Sequence, residues 1–206
     1  MKQISAVLFD IGNVFVRWDP RYLYEKLIAD PVELDFFLTN VVTLAWHTEH
    51  DRGRPFAEGV RKLSAQFPEY EDLIQSFDTK WAETIGETIT GTVDVLGALV
   101  AEGMPVYAIT NFSAEKWPLF CKSYAFTDLF DGVVVSGEEK LVKPDPALFD
   151  IAIKRFGLVP EETFFIDDRF DNIRAAEKIG MQCHTFRDPA TLKKDLWSRR
   201  FRHLSF

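Results

Sequence analysis

Short runs of apolar residues that end in polar or turn-forming residues recur along the chain. A continuous run of this kind is typical of a strand buried on both faces, and such strands occur in parallel sheets. The pattern predicts five strands: one that begins at Ala6 and ends before Asp10, and four over residues 105–111, 132–136, 163–168 and 182–186. The carboxylate of Asp10 is therefore expected at the carboxyl end of the first strand.

Segments with helical spacing of their apolar residues separate the later strands, and glycine or proline marks several of their ends. The predicted helices cover residues 92–101, 113–124, 146–156, 172–179 and 192–206, the last with a basic stretch (Arg199, Arg200 and Arg202) expected on a solvent-exposed face. Alternation of strands and helices predicts an α/β fold, a doubly wound parallel sheet with right-handed crossovers. All strand ends would then face one crevice, where ligands bind in such folds.

Residues 18–88 interrupt this alternation. Helical spacing recurs over residues 22–28, 31–38, 57–67 and 70–85, a loop is expected over residues 47–55, and no strand is predicted between residues 18 and 88. The chain is therefore divided into an α/β core of residues 1–17 and 89–206 and an all-helical insertion of residues 18–88.

Composition and charge narrow the classes of function. The 206 residues are 47% hydrophobic and carry a formal net charge of −8, which argues against a nucleic-acid or anionic membrane surface. No apolar run reaches the ~18 residues of a membrane span. The two cysteines, Cys121 and Cys183, give no metal-ligand spacing and no disulfide framework, so we expect a reducing compartment and a cytoplasmic protein. A monomer or a homodimer is expected.

Polar residues gather at the predicted strand ends. They are Asp10, Thr110 and Asn111, Asp167 and Asp168, together with Lys143 in the loop before the helix of residues 146–156. A carboxylate nucleophile, a hydroxyl group, a lysine and a carboxylate pair are what phosphoryl transfer through an aspartyl-phosphate needs. Mg²⁺ takes oxygen ligands and commonly uses one or two carboxylates plus substrate phosphate, which fits Asp10 and Asp168.

Four short motifs in this order resemble the haloacid dehalogenase-like hydrolase superfamily over nearly the whole chain. They are FDIGNV at residues 9–14, ITN at residues 109–111, VKPD at residues 142–145, and FIDD at residues 165–168 followed by Asn172. The form of the first motif also resembles a bacterial sub-branch that includes α-glucose-1-phosphate phosphatases. The resemblance implies a Rossmann-like core with a small helical cap after the first strand, which closes over the substrate.

The resemblance also implies a role for each matching residue. Asp10 is the nucleophile, Thr110 and Asn111 bind the transferred group, and Lys143 neutralises the nucleophile and the phosphate. Mg²⁺ is held by Asp10, the Gly12 carbonyl and Asp168. Supporting roles are expected for Asp167 and Asn172, which orient neighbouring groups at the site.

One position departs from the phosphatase pattern of the superfamily. Phosphatases usually carry a second Asp two residues after the nucleophile, as the general acid for the leaving group, and this chain has Gly12 there. Loss of a general acid typically lowers the rate by ~10²–10⁴-fold, unless the leaving group is good or another acid substitutes.

The loop predicted over residues 47–55 contributes two further expectations. Arg52 and Gly53 suit a substrate-reading loop, because an Arg beside a glycine would lie on the part of the fold that covers the crevice. His47 and His50, three residues apart without a helix signal, are expected at the surface rather than as metal ligands.

Three functions follow from these residues. The first is a Mg²⁺-dependent phosphatase that acts on a small, sugar-phosphate-like ester. The second is a 2-haloacid dehalogenase in which Asp10 attacks carbon; such members of the superfamily need no metal and usually carry Ser-Ser-Asn where this chain has Asp167 and Asp168. The third is a non-catalytic binding protein that kept the pocket without efficient turnover.

Overall fold

Seven strands, five of them in one parallel sheet, organise the computed structural model, which describes residues 2–199. In chain order they are β1 (Ala6–Phe9), β2 (Val16–Trp18), β3 (Ile85–Thr88), β4 (Val106–Thr110), β5 (Gly132–Val135), β6 (Thr163–Asp167) and β7 (Gln182–Thr185). The main sheet has the order β5-β4-β1-β6-β7, and every pairing in it is parallel. The predicted doubly wound α/β fold is confirmed, with β1 in the middle of the sheet.

Eleven α-helices connect the strands of the described chain. They are α1 (Arg21–Tyr24), α2 (Pro31–Phe36), α3 (Leu44–Asp51), α4 (Phe56–Gln66), α5 (Glu71–Thr79), α6 (Thr90–Ala101), α7 (Trp117–Ser123), α8 (Ser136–Glu139), α9 (Pro146–Phe156), α10 (Phe170–Ile179) and α11 (Pro189–Ser198). A π-helical turn at Phe37–Val41 extends α2, and 3₁₀ turns lie at Pro68–Tyr70, Trp81–Thr84, Ala125–Leu129 and Pro160–Glu162.

The alternation of side chains along β1 explains why the sheet is covered on both faces. Val7 and Phe9 point into a core that α6 and α11 cover, whereas Ala6 and Leu8 point into a second core under α9 and α10. All four residues are buried. The strand is therefore uniformly apolar, and the first polar side chain that follows it, Asp10, lies where the sheet ends.

Two short strands at the boundaries of the insertion were not predicted. β2 and β3 form an antiparallel pair in which Val16 is the partner of Thr88 and Trp18 the partner of Ile85. The expectation of no strand between residues 18 and 88 is wrong at both ends, because strands of three and four residues are too short for a period to be read from the sequence.

The loop expected over residues 47–55 is also wrong, because α3 occupies most of it. Thr43 begins the helix, since its Oγ1 accepts a hydrogen bond from the Trp46 backbone N–H at 3.1 Å. The buried residues of α3 are His50 and Asp51 rather than aliphatic ones. Its inward face is polar, so the spacing of apolar residues gave no helix signal.

The C-terminal helix is shorter in the described chain than predicted. α11 ends at Ser198, and the rest of the predicted helix, with Arg200 and Arg202, lies outside the described residues. Arg199 does not lie on a solvated face: its Nε donates to Asp195 Oδ1 at 2.8 Å, and its guanidinium lies 4.6 Å from the centre of the Phe164 ring.

Candidate active site

The carboxyl ends of β1 and β6 bring Asp10 and Asp167 to either side of one lysine. Lys143 Nζ lies 2.8 Å from Asp10 Oδ1 and 2.7 Å from Asp167 Oδ2. The lysine side chain is only 1% exposed. Because β1 and β6 are parallel neighbours, their carboxyl ends coincide, and the buried ammonium is shared by two carboxylates.

Asp167 is fully buried and receives hydrogen bonds from several directions. The Asn172 side-chain Nδ2 lies 3.0 and 3.1 Å from its two carboxylate oxygens, and the Arg169 backbone N–H donates to Oδ1 at 2.8 Å. A buried carboxylate with this many donors has a fixed orientation. Asp167 therefore holds Lys143 in place rather than facing the cavity.

Asn111, at the end of β4, holds the backbone of the same lysine. Its Nδ2 donates to the Lys143 carbonyl at 3.0 Å, and its Oδ1 accepts from the Lys143 N–H at 2.8 Å. Both ends of its amide are therefore engaged by the Lys143 backbone, 32 residues away, and the expectation that Asn111 binds the transferred group stays a prediction. Thr110, one residue earlier, is buried at the strand end.

The donor set near Asp10 suits a hard divalent cation. One oxygen each of Asp10, Asp167 and Asp168 lies within 4.8 Å of the others. The side-chain Oδ1 of Asn172 is buried beside this cluster and has no hydrogen-bond partner. Carboxylate and amide oxygens are preferred ligands of Mg²⁺, or of the waters that Mg²⁺ retains, so the residues present fit such an ion.

Burial and like charges shift the protonation equilibria of the site. Burial raises the pKa of Asp10 to about 7, with Lys143 opposing the shift and Asp167 adding to it. Burial would lower the pKa of Lys143, but Asp10 and Asp167 together raise that pKa above its ordinary value. Burial and Asp167 also raise the pKa of Asp168. A cation bound among these carboxylates would favour their ionised forms.

A cavity of about 460 Å³ opens from Asp10 toward the helical insertion. Its floor contains Asp10, Gly12, Asn111, Lys143, Asp168 and Asn172. Its upper walls are largely apolar and include Trp18, Leu38, Val42, Trp81, Phe112 and Phe120. The volume suits a small organic molecule whose polar end reaches the floor.

Arg52 and Gly53 are not among the residues that line this cavity, so their expected role in a substrate-reading loop stays a prediction without support from the cavity. The Arg52 side chain is half exposed and pairs with Glu49 Oε1 at 2.8 Å, one turn back on α3. Gly53 ends the helix with φ +91°, and a Cβ there would lie 2.7 Å from the Gly137 carbonyl oxygen. The glycine thus serves a close backbone approach between the insertion and the core.

The residues of α3 that do line the cavity are Leu44, His47, Thr48 and Asp51, and none of them was predicted as a site residue. His47 is not at the surface as predicted: it stacks on Trp18 with ring centres 4.6 Å apart, and its Nε2 lies 3.5 Å from Asp51 Oδ2. His50 is fully buried, and its Nδ1 lies 3.1 Å from the Arg54 carbonyl oxygen. An i, i+4 pair of His47 and Asp51 was the available signal, and it is visible only when the segment is read as a helix.

Comparison with known proteins agrees with this geometry. The family model described as haloacid dehalogenase-like hydrolase matches residues 4–180. The chain is 27% identical to the sesquiterpene phosphatase of Aspergillus oryzae, over 86% of this chain and 87% of that protein. It is 31% identical to a glyceraldehyde 3-phosphate phosphatase of Methanopyrus kandleri, over 86% of this chain and 82% of that protein.

Among solved structures, a HAD family enzyme from Bacteroides thetaiotaomicron in complex with magnesium and inorganic phosphate matches with a TM-score of 0.69. It is 25% identical, over 90% of this chain and 95% of that chain. A haloacid dehalogenase from Xanthobacter autotrophicus has a TM-score of 0.62 at 16% identity, which shows a shared fold alone. Within residues 2–199, the helices are all too short or too polar to cross a bilayer.

Proposed function

Because the chain belongs to the haloacid dehalogenase-like hydrolase family, we propose that it is a phosphatase that hydrolyses a small phosphate monoester through an aspartyl-phosphate at Asp10. The observation that carries this proposal is the cluster of three carboxylates, Asp10, Asp167 and Asp168, the first two of which pair with the buried Lys143. A dianionic phosphate can approach three carboxylates only if cations offset the repulsion, and the site offers both a buried ammonium and a ligand set for a second cation.

In the proposed reaction an Asp10 carboxylate oxygen attacks phosphorus, and the alcohol leaves. Lys143 stays charged throughout, because two carboxylates raise its pKa, and it offsets the negative charge of the nucleophile and the phosphoryl oxygens. Water then attacks the aspartyl-phosphate at phosphorus and releases inorganic phosphate. Asp10, the Gly12 carbonyl and Asp168 would hold Mg²⁺, and the bound ion would add to the charge neutralisation at the phosphoryl group.

Two residues act on Lys143 rather than on the phosphate. Asp167 and Asn111 fix its side chain and its backbone, so that the ammonium remains next to Asp10. Asn172 orients Asp167 through its Nδ2, whereas its Oδ1 is buried and has no hydrogen-bond partner. Thr110, at the carboxyl end of β4 beside β1, is proposed to contact the transferred phosphoryl group.

The dehalogenase alternative is less well supported. Attack on carbon with halide as the leaving group needs no metal, and three carboxylates with oxygens within 4.8 Å of one another would repel a 2-haloacid carboxylate unless a cation were bound. The relatives named phosphatases also resemble this chain more closely than the dehalogenase structure does. The non-catalytic alternative requires that the nucleophile and its lysine be retained without turnover.

Several finer points belong to the proposal. Residues 18–88 are proposed to form a cap over a core of residues 1–17 and 89–206, because α3 contributes to the upper part of the cavity. The substrate is proposed to be a small soluble ester, with sugar phosphates as the first class to test. A cytoplasmic location and a monomeric or homodimeric state remain predictions.

Hydrolysis of p-nitrophenyl phosphate with and without Mg²⁺ tests the function, for the wild type, Asp10→Asn and Asp19→Asn. Asp19 also lines the cavity, and the variant keeps its size, so it controls for loss of a nearby carboxylate. We expect Mg²⁺-dependent release of phosphate that only Asp10→Asn abolishes. Metal-independent chloride release from 2-chloropropionate that Asp10→Asn abolishes would instead establish the dehalogenase.

A further inference from the structure

The position that usually supplies the proton to the leaving group is open in this protein. A Cβ built on Gly12 would meet no atom within 4 Å, and Gly12 does not adopt a positive φ. Nothing in the backbone therefore excludes a side chain there, and no neighbouring side chain fills the space. An alcohol that leaves as an alkoxide is a poor leaving group, so a proton donor elsewhere in the cavity would be needed.

Asp51 is an acidic side chain that the helical insertion contributes to the same cavity. It is the last residue of α3, it is 6% exposed, and it lines the same cavity as Asp10 and Gly12. Its position is fixed from the core, because Ser136 Oγ donates to the Asp51 backbone carbonyl at 2.7 Å. On its own helix, His47 Nε2 lies 3.5 Å from Asp51 Oδ2.

The other carboxylates of the cavity have different partners. Four Asp residues are among the described residues that line it: Asp10, Asp19, Asp51 and Asp168. Asp10 is the nucleophile in the proposed reaction, and Asp168 belongs to the cation-binding cluster. The Asp19 carboxylate accepts a hydrogen bond at 2.8 Å from the N–H of Arg21, the first residue of α1. Within the described residues, the Asp51 carboxylate has His47 as its neighbour at 3.5 Å and forms no ion pair with a lysine or arginine.

The surroundings of Asp51 favour a proton on its carboxyl group. Burial, and then the negative charge of Asp10, raise its pKa to about 8. His47 does not offset this, because burial and the neighbouring His50 lower the pKa of His47 to about 3 and keep the ring neutral. A carboxylic acid that remains protonated near neutral pH is suited to general acid catalysis.

We propose that Asp51, contributed by the helical insertion, is the general acid that replaces the missing side chain at Gly12, with His47 as its positioning residue. The proposal rests on the phosphatase function proposed above. In the first step the bond between Asp10 and phosphorus forms, the bond from phosphorus to the ester oxygen breaks, and the Asp51 carboxyl proton passes to that oxygen. In the second step the attacking water forms its bond to phosphorus, the bond from phosphorus to Asp10 breaks, and the water proton restores Asp51.

Two substrates of similar shape separate proton donation from other effects. p-Nitrophenyl phosphate releases a stabilised phenolate that needs no proton, whereas benzyl phosphate releases an alkoxide unless a proton is supplied. We expect Asp51→Asn to lower kcat/KM for benzyl phosphate by ~10²–10⁴-fold and that for p-nitrophenyl phosphate by less than about tenfold. Asp35→Asn, a control that removes a carboxylate of the same insertion outside the cavity lining, should lower neither by more than about twofold.

Restoration of the usual acid provides the second arm of the experiment. Gly12→Asp in the Asp51→Asn background should recover most of the benzyl phosphate activity, because the space beside Gly12 is open. If Asp51→Asn does not fold, as judged by its thermal unfolding transition, Asp51→Ser replaces it in both arms. Equal losses on the two substrates, or no loss on benzyl phosphate, would overturn the proposal.

Failure of the proposed function is recognised separately. A wild-type protein that releases no phosphate from p-nitrophenyl phosphate with Mg²⁺ contradicts the phosphatase function itself. A wild type that hydrolyses p-nitrophenyl phosphate, with an Asp51→Asn variant that keeps full activity on benzyl phosphate, contradicts only the role of Asp51.

Discussion

Replacement of Lys143 by Met tests the electrostatic construction of the site through stability rather than activity. The lysine side chain is 1% exposed and lies between Asp10 and Asp167, of which Asp167 is fully buried. Methionine has a similar length and no charge, so the variant keeps the volume and leaves the carboxylates without their cation. Removal of one partner from a buried ion pair typically costs about 3–5 kcal/mol.

The size of the effect should depend on pH. The ordinary pKa of a lysine is already high, and that of Lys143 is raised further, so its charge is constant between about pH 5 and pH 8. Titration of Lys143 itself therefore does not change the free energy of unfolding over this pH range. The pKa of Asp10 is already raised, and removal of the Lys143 charge would raise the Asp10 pKa further, because Lys143 opposes the shift. A raised carboxyl pKa means that the folded state binds the proton more tightly, so stability falls as pH rises. The loss in the variant should therefore be about 3–5 kcal/mol near pH 8 and clearly smaller near pH 5.

Urea unfolding at both pH values, without Mg²⁺, measures this loss. Lys116→Met is the matched control, because Lys116 is also a buried lysine but the side chain of its partner Asp78 is 35% exposed. We expect this variant to lose about 1 kcal/mol in the free energy of unfolding. Addition of Asp167→Asn to Lys143→Met should recover part of the stability. A loss below about 1 kcal/mol at pH 8, or the same loss at pH 5 and pH 8, would refute the reasoning.

Three further predictions concern single contacts. Asn111→Ala removes both hydrogen bonds to the Lys143 backbone and should lower kcat by ~10²-fold with little change in KM, measured by steady-state kinetics. Asp51→Asn should raise the free energy of unfolding by an amount on the order of 5 kcal/mol near pH 8, because the unfolded state has lost the Asp51 proton there and the folded state binds it more tightly. Near pH 4 the variant and the wild type should be equally stable. Urea unfolding at both pH values measures the difference. Gly53→Ala combines φ +91° with a Cβ contact at 2.7 Å and should cost about 2–4 kcal/mol, whereas Gly103→Ala, at φ +71° with no atom within 4 Å, should cost about 1–2 kcal/mol by thermal unfolding.

The expected gain in stability of Asp51→Asn fits the role proposed for Asp51. A buried carboxyl group without a neighbouring cation lowers the stability of the folded state at neutral pH. The fold therefore gains no stability from the Asp51 carboxyl group. Functional sites commonly combine such unfavourable burial with a chemical task. The stability measurement and the benzyl phosphate assay therefore address the same side chain from two directions.

The strands and most helices of the core were predictable because their signals are local. α9 is an example: Asp145 Oδ1 accepts a hydrogen bond from the Ala147 N–H, Pro146 opens the helix, and Gly157 ends it with a left-handed φ of +65°. Each of these preferences belongs to a residue and its immediate neighbours. The same holds for β1, whose apolar run specifies burial on both faces and places Asp10 at the strand end.

The insertion was less predictable because its signals are weak or long-range. The strands β2 and β3 pair residues about 70 positions apart and are too short to show a period. α3 turns buried His50 and Asp51 inward, so its pattern of apolar residues is that of a polar loop. Arg52 was expected to reach the substrate, but it is not among the residues that line the cavity, and its guanidinium pairs with Glu49 at 2.8 Å.

The sequence alone determined the architecture of this protein, because apolar runs, helix caps and glycines act over a few residues. It also determined that the acidic residues, Thr110 and Asn111 would lie at strand ends. Only the tertiary structure decided which of those side chains face the cavity and which hold another in place. Asn111 binds the Lys143 backbone 32 residues away, and Asp51 faces the cavity of Asp10 from a different element. Such relations arise when distant segments pack together, and no local preference of the chain encodes them.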